Sequence, residues 1–164
     1  MSIRELARHE WALFRELRLR ALAESPDAFA RTLAEAREQP DPYWVQLTES
    51  VTAPGGQVML IAEADGRPTG LAFGLFDKER LKTGHVGGMW VDPAVRRQGA
   101  GRALLEAAIA WARSRDLARL ELWVTEGNVA AVKLYEHAGF TDTGRRDTLR
   151  SNRTLQTIQM ALDL

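Results

Sequence analysis

Several features that would point to particular classes of protein are absent from this sequence. The 164 residues contain no cysteine, which excludes disulfide bonds, a thiolate nucleophile and zinc fingers. Lysine and arginine (22) balance aspartate and glutamate (22), so the chain lacks the basic character of most nucleic-acid-binding proteins. No apolar run approaches the length of a membrane span. We therefore expect neither a nucleic-acid nor a membrane partner.

Metal-binding and targeting patterns are missing too. His9, His85 and His137 are scattered without metal-ligand spacing, so we expect no metal site. Charged side chains interrupt residues 1–10, where a signal peptide would have its apolar core, and this predicts a cytoplasmic protein. The composition, 45% hydrophobic and 27% charged, is typical of one globular domain over residues 1–164.

The predicted elements change along the chain from helices to alternating strands and helices. The first third is predicted to form an edge strand at 3–6 and helices at 9–23, 26–38 and 43–50, the last two capped by Ser25 and Asp41. Predicted strands follow at 57–64, 69–76, 85–91, 119–124, 141–149 and 154–162, with helices at 100–114 and 129–137 and an exposed polar connection at 77–83. This order predicts an α/β or α+β fold, a mixed sheet flanked by helices.

The most informative stretch is 91–105, where a strand leads through a basic, glycine-rich turn into a helix. Gly99 and Gly101 leave backbone N–H groups uncovered, and three arginines lie in or beside the turn. A helix that begins there directs its unpaired N–H groups and the positive end of its dipole at the turn. The stretch therefore predicts a site for a phosphate or pyrophosphate group.

Two familiar phosphate-binding motifs do not fit this turn. A P-loop needs a lysine after its second glycine, and no lysine lies between Lys82 and Lys133. A dinucleotide fingerprint needs a third glycine where Leu104 stands. What remains is Arg96-x-x-Gly99-x-Gly101, which an ordinary tight strand–helix connection would also explain.

A second motif lies downstream: Asn128-x-x-Ala131-x-x-Leu134-Tyr135-x-x-x-Gly139-Phe140. Together with the glycine-rich turn and the preceding Val91-Asp92-Pro93, it resembles the signature of the GNAT superfamily of acetyl-CoA-dependent N-acetyltransferases. The motif-bearing resemblance covers residues 88–140. It implies a GNAT-like fold, acetyl-CoA as cosubstrate and no metal.

The resemblance also implies how acetyl-CoA would be bound. The turn would hold the pyrophosphate, and pantetheine would lie between two splayed strands beside a bulge near Gly88. A backbone N–H there would polarise the thioester carbonyl. The implied cofactor-binding residues are Met89, Trp90, Val91, Arg96, Arg97, Gln98, Gly99, Ala100, Gly101, Arg102, Asn128, Ala131 and Tyr135.

Tyr135 is the first candidate for a catalytic residue. The matching tyrosine of the family protonates the coenzyme A thiolate as it leaves; packing of the helix on the sheet is the structural alternative. Asn128 would hold the coenzyme near the pantetheine arm, or would cap the helix that follows it, and both roles are compatible.

The general base is less clearly indicated. The family often uses a glutamate on a central strand, but the strand at 85–91 contains no acid. Glu121, on the next central strand, is the first candidate, with Glu63 and His85 as alternatives. A surface or structural role would explain each of them as well.

Asp27, Phe29 and Phe73 are the candidate substrate-binding residues, because the segment 24–29 lies between two predicted helices that in the family flank the substrate groove. Asp27 would pair with a cationic amine, or would complement the start of its helix. Phe29 and Phe73 would form an aromatic wall, or would pack in the core. Trp123 would line that groove or contact a second copy, and the resemblance allows a homodimer. The predicted reaction is acetyl transfer to a primary amine, of a small molecule or a peptide, by direct attack in a ternary complex. The alternative is a module of the same fold that binds or senses acetyl-CoA without catalysis.

Overall fold

The computed structural model describes all residues, 1–164, and contains one mixed β-sheet of seven strands. The strands are β1 (Ser2–Glu5), β2 (Val58–Ala64), β3 (Arg67–Phe76), β4 (Thr83–Val91), β5 (Arg119–Thr125), β6 (Thr141–Thr148) and β7 (Gln156–Asp163). Their order is β1-β2-β3-β4-β5-β7-β6, and only β4 and β5 pair in parallel. The predicted mixed sheet is confirmed.

Helices cover both faces of the sheet, each over its own apolar cluster. They are α1 (Trp11–Glu24), α2 (Leu33–Arg37), α3 (Asp41–Val51), α4 (Ala100–Ser114) and α5 (Val129–His137). One cluster joins α4 and α5 to alternate residues of the central strands, and the other joins α1 and α3 to the opposite face. Each fully buried leucine in these clusters contributes roughly 1.5–3 kcal/mol. None of the helices has the length and apolarity to cross a membrane.

The connection between α1 and α2 differs from the prediction of one helix over 26–38. A short 3-10 helix at Pro26–Ala28 is followed by extended chain, and Ser25 caps neither segment with its side chain. The N-cap of α2 is instead Thr32, which forms a capping box with Glu35. The predicted Asp41 cap is also wrong, because Asp41 is the first residue of α3.

The central strands separate in the middle of the sheet. The parallel pairing of β4 with β5 spans Thr83 to Val86 and then stops, so Gly87–Val91 has no partner on that side. A register shift between β3 and β4 places a bulge at Gly88, whose φ is +58°. We call the resulting gap, between Gly87–Val91 and Trp123–Thr125, the β4–β5 cleft.

Candidate functional site

The turn after β4 exposes a row of backbone N–H groups at one end of the β4–β5 cleft. The carboxylate of Asp92 caps the short helix Pro93–Val95 by accepting a backbone N–H at 2.9 Å. Arg97 and Gly99 then adopt left-handed φ angles of 64° and 88°, and α4 begins without a side-chain cap. As a result, the N–H groups from Arg97 to Arg102 donate to no acceptor within the chain. Donors arranged in this way at a helix N-terminus favour an anion.

The arginines of the turn differ in their surroundings. Arg96 donates to Glu24 at 2.6 Å and to the carbonyl of Val91 at 2.9 Å, so its charge is already neutralised. Arg102 pairs with Glu106 along the exposed side of α4. Arg97 makes no ion pair or side-chain hydrogen bond. The predicted charge at the turn therefore rests on Arg97 and the backbone dipoles, and the side chain of Arg96 instead ties the turn to α1.

The two motifs found in the sequence meet at Gly101. A Cβ atom at this position would lie 3.3 Å from Leu134 of α5 and 3.6 Å from Met89 of β4. The absence of a side chain thus lets α4 approach both elements closely. The packing brings the glycine-rich turn, the bulged strand and the helix of Tyr135 into one site.

Tyr135 faces β4 across the cleft. Its hydroxyl group lies 3.7 Å from the sulfur of Met89, a weak contact, and its ring packs on Phe140. Burial raises the pKa of Tyr135 to about 12, so the phenol stays protonated at physiological pH. The structure thus holds a proton donor beside the strand that borders the cleft.

Asn128 and Ala131 lie at the start of α5. The side-chain oxygen of Asn128 accepts the N–H of Ala131 at 3.3 Å, which makes Asn128 the N-cap of the helix. Asn128 is exposed and its amide NH₂ makes no hydrogen bond within the chain. Capping therefore leaves the donor end of the side chain available.

Glu121 has an environment that opposes the predicted role as general base. It is 1% exposed, and its two carboxylate oxygens accept a bidentate pair of bonds from Arg80 at 2.9 and 2.7 Å. Arg119 donates at 2.8 Å and Gln159 at 3.3 Å. The hydrogen bonds from Arg80 lower the pKa of Glu121 to about 2. A carboxylate held this strongly in its charged form is a poor proton acceptor, and Arg80, expected in a solvated connection, covers it.

The two alternative bases also have partners. Glu63 accepts from Arg4 at 2.8 Å on the edge strands, away from the cleft. The Nε2 atom of His85 lies 2.7 Å from a carboxylate oxygen of Asp77, and its Nδ1 atom makes no hydrogen bond. The contact with His85 holds the pKa of Asp77 well below its usual range. Because Asp77 is a carboxylate, Nε2 is the protonated nitrogen of the neutral ring and Nδ1 carries the lone pair.

The loop between α1 and α2 is tied to the end of β5 and to the turn between β6 and β7. Thr125 and Ser151 donate to backbone carbonyls of the loop, those of Asp27 and Phe29. Asn152 donates to the carboxylate of Asp27 at 3.2 Å. Because that carboxylate is exposed and anchors the loop, the structure supports a structural role for Asp27 rather than the predicted contact with a cationic amine.

Phe29 and Phe73, the other two predicted acceptor residues, both lie close to the bulge. Phe73 would be 2.5 Å from a Cβ atom on Gly88, and Phe29 is buried beneath the guanidinium of Arg18 at 4.6 Å. Trp123 is 39% exposed, and Arg145 lies over its ring. Arg18 thus contacts the ring of Phe29 and, together with Phe73, borders one face of Gly88.

Sequence reasoning missed Arg18, which the helical pattern places among the polar residues of the first helix. A signal is present in the sequence, because Arg18 lies four residues after Phe14 and four before Leu22, within the apolar stripe. Both of those residues are buried, and the Nη1 atom of Arg18 is buried without a hydrogen-bond partner. An arginine within the apolar stripe of a helix therefore indicates a candidate functional residue.

Comparison with known proteins agrees with this geometry. The Acetyltransferase (GNAT) family matches residues 11–140. A mycothiol acetyltransferase from Beutenbergia cavernae is 31% identical over 137 residues, covering 84% of this chain and 42% of that protein. One from Thermobispora bispora is 34% identical over 129 residues, covering 76% and 41%. The chain thus spans about two fifths of the length of these relatives.

Solved structures share the fold over nearly the whole chain. A ribosomal-protein-alanine N-acetyltransferase from Brucella melitensis has a TM-score of 0.82 at 20% identity, covering 100% of both chains. An acetyltransferase of the GNAT family from Streptococcus pneumoniae has a TM-score of 0.83 at 22% identity, covering 99% and 98%. A protein from Salmonella typhimurium, solved with its cofactor acetyl-CoA, has a TM-score of 0.80 at 23% identity, covering 100% and 94%. With the family match over residues 11–140, these findings show that the chain belongs to the GNAT family of acetyltransferases.

Proposed function

We propose that this protein transfers an acetyl group from acetyl-CoA to a primary amine by direct attack in a ternary complex. The observation that carries the proposal is the convergence of three features on the β4–β5 cleft. These are the unpaired N–H groups of the turn, the open edge of β4, and the buried hydroxyl of Tyr135 beside Met89. Each supplies a group that acetyl transfer from acetyl-CoA requires.

The coenzyme would lie along the cleft and the turn. The pyrophosphate fits the N–H groups of Arg97 to Arg102, and the pantetheine arm would pair with the free edge of Met89–Val91 as an added strand. A groove of about 620 Å³ between α4 and α5, lined by Arg102, continues from the turn and offers room for the adenosine. Asn128 lies at the start of α5, within the same surface.

The chemistry then follows from the groups along the cleft. The neutral amine attacks the thioester carbonyl carbon, and the carbonyl oxygen gains negative charge that a backbone N–H at the bulge stabilises. The carbon–sulfur bond breaks as the new carbon–nitrogen bond is completed. Tyr135 hydrogen-bonds the departing thiolate and gives it a proton, and the amine loses a proton to a base.

Glu121 is not proposed as that base, because its oxygens already accept four hydrogen bonds. Among the predicted alternatives, His85 is the best placed, because its unprotonated Nδ1 is free and it lies on β4, near the start of the cleft. Asp77 accepts a hydrogen bond from Nε2–H and so leaves Nδ1 as the acceptor of the ring. His85 is therefore proposed to accept the proton, with water as the intermediary.

A charge-matched pair of variants at the turn tests acetyl-CoA binding. Gly99 has a φ of +88° and open space around it, and both aspartate and asparagine tolerate that conformation. Gly99→Asp places a negative charge at the turn and Gly99→Asn does not. We expect calorimetry to show a Kd for acetyl-CoA at least tenfold higher for Gly99→Asp than for Gly99→Asn. Equal affinities would show that the pyrophosphate lies elsewhere.

Turnover is tested by release of free coenzyme A with a panel of amines. The panel includes the unacetylated form of mycothiol, because the curated relatives are named mycothiol acetyltransferases. Binding of acetyl-CoA without release of coenzyme A in the presence of any amine would favour a sensing module instead. The buried, protonated Tyr135 beside the cleft is what favours the enzyme.

A further inference from the structure

Arg18 is a half-buried cation that has no anionic partner in the chain. Its Nη1 atom is inaccessible to solvent and makes no hydrogen bond. Its neighbours are the ring of Phe29 at 4.6 Å, the phenol Tyr43 and a second arginine, Arg31. Arg31 adds positive charge, and burial together with Arg31 lowers the pKa of Arg18 to about 10. Every group packed around this guanidinium is thus neutral or cationic.

An uncompensated charge that is removed from water is unfavourable, and most partly buried arginines of this chain have a carboxylate partner. Arg4 and Arg20, for example, pair with carboxylates of neighbouring elements. Arg15, on the same helix, has an unpartnered Nε, but its guanidinium reaches Asp41 at 3.8 Å. Because desolvating a guanidinium is costly, an unpaired one is expected where a ligand supplies the missing charge.

The position of Arg18 relates it to the proposed reaction. Its Nη1 atom lies 3.2 Å from the position that a Cβ atom on Gly88 would take. Gly88 is the bulge residue at the cleft, next to Met89, so the guanidinium is close to where the acetyl group would be presented. It lies on the face of the sheet covered by α1, opposite to Tyr135. An acceptor entering from that face would meet Arg18 and the thioester together.

We infer that the acceptor is an amine carrying a carboxylate a few bonds from its nitrogen, as in an amino acid, and that Arg18 binds this carboxylate. The inference rests on the proposed acetyl transfer and specifies its substrate class. A guanidinium offers parallel donors that match a carboxylate. The guanidinium that faces Gly88 is that of Arg18, and it fits a carboxylate there, while the rings of Phe29 and Phe73 beside it fit an apolar side chain. The closeness of Arg18 to Gly88 keeps the carboxylate and the amine only a few bonds apart.

Matched substrates test the inference. The panel contains the free amino acids, including β-alanine, the corresponding amides, and amines such as phenethylamine that lack the carboxylate. With saturating acetyl-CoA, we expect kcat/KM for the preferred free acid to exceed that of its amide at least 30-fold. In Arg18→Met this ratio should fall to about one, while the KM for acetyl-CoA stays unchanged. Arg18→Lys keeps the positive charge but not the two parallel N–H donors of the guanidinium. It should give an intermediate ratio of acid to amide kcat/KM.

Arg15→Met is the control, because it removes a charge from the same helix at a site that faces Asp41. It should retain the wild-type preference for the free acid. Equal use of acid and amide by the wild type would overturn the inference even if every Arg18 variant failed to fold. A preference for phosphoethanolamine over all amino acids, or acetylation of the unacetylated mycothiol alone, would overturn it too. Failure to bind acetyl-CoA would instead contradict the proposed function.

Discussion

Two charged clusters on the same face of the sheet, both beside β4, differ in how fully their hydrogen-bonding groups are used. Around Glu121, where β4 and β5 are paired, two arginines and Gln159 supply four hydrogen bonds to one buried carboxylate. Around Arg18, where the strands have separated, the guanidinium has a buried Nη1 atom and makes no hydrogen bond within the chain. The charge of the first cluster is fully compensated within the chain. The second cluster lacks an anionic partner, which we expect a ligand to supply.

This difference separates structural from functional charge more clearly than burial does. The carboxylate of Glu121 and the Nη1 atom of Arg18 are both held away from water, so burial alone does not distinguish them. At the closed end of the cleft, Glu121 on β5 is joined to β7 by Gln159 and to the connection before β4 by Arg80. Arg18 stabilises none of its neighbours by ion pairing. A buried charged group whose hydrogen bonds are all made within the chain therefore indicates a structural role. One that lacks such hydrogen bonds indicates a ligand-binding role.

The largest expected effect is at the open end of the cleft. Tyr135→Phe removes the proton donor, and we expect kcat for acetyl transfer to fall roughly 1,000-fold, equivalent to about 4 kcal/mol in activation free energy. Within the chain, the hydroxyl group makes only a weak hydrogen bond, to the sulfur of Met89 at 3.7 Å, so the melting temperature should not fall. Steady-state kinetics and calorimetry measure the two quantities. Unchanged kcat would remove Tyr135 from the reaction.

At the closed end, Glu121→Gln should act on stability rather than on chemistry. Removing one partner of a buried ion pair costs about 3–5 kcal/mol, and we expect about 3 kcal/mol because Arg80 and Arg119 are 45% and 38% exposed. Urea unfolding measures this loss. The kcat of the folded variant should stay within a factor of two of wild type, and a large fall in kcat would instead restore Glu121 as the base.

The same cluster predicts a dependence of stability on pH. The folded pKa of Glu121, about 2, lies below its unfolded value near 4.5. Its contribution is therefore complete above pH 4.5 and is lost as the pH falls through 2. The wild type should lose stability more steeply than Glu121→Gln across that window. Parallel curves of unfolding free energy against pH would mean that the carboxylate is not held as the structure shows.

Gly88→Ala tests the contact between the bulge and Arg18. The new methyl group would meet Phe73 at 2.5 Å and Arg18 at 3.2 Å, in a backbone conformation of positive φ. Gly55→Ala is the control, because Gly55 also has positive φ but open space around it. We expect Gly88→Ala to cost about 2 kcal/mol more than Gly55→Ala in urea unfolding, from overpacking. Gly88→Ala should also raise the KM for the acceptor. Equal losses of unfolding free energy in Gly88→Ala and Gly55→Ala would mean that no side chain packs against this face of Gly88.

The order of the elements and the position of the anion turn were predictable because their signals are local. The Arg96-x-x-Gly99-x-Gly101 run specifies a turn whose N–H groups stay free, and strand periodicity specifies the sheet. The role of Glu121 was not predictable, because its partner Arg80 comes from a connection that sequence patterns describe only as polar. Long-range pairing of charges leaves no periodic signal.

The break between α1 and α2 shows the same limit for backbone structure. Residues 26–38 have helical composition, yet hydrogen bonds from Thr125 and Ser151 draw the chain into an extended path over the cleft. The local propensity for helix is weak and tertiary contacts override it. The position of Phe29 on this loop, next to Arg18, therefore depends on contacts with residues more than ninety positions away.

The smallest expected effect tests how this loop is held beside the cleft. Thr32 accepts the N–H of Glu35 at 3.2 Å and caps α2, whereas Ser25, which the sequence favours as a cap, bonds only the exposed Glu24. Thr32→Ala should therefore cost about 1 kcal/mol in urea unfolding. Ser25→Ala should cost nothing measurable. Because the loop carries Phe29 against Arg18, Thr32→Ala should also raise the KM for the acceptor about twofold while leaving the KM for acetyl-CoA unchanged. A reversed order of the two costs would mean that the helix begins at Ser25 in solution, and Phe29 would then lie away from the cleft.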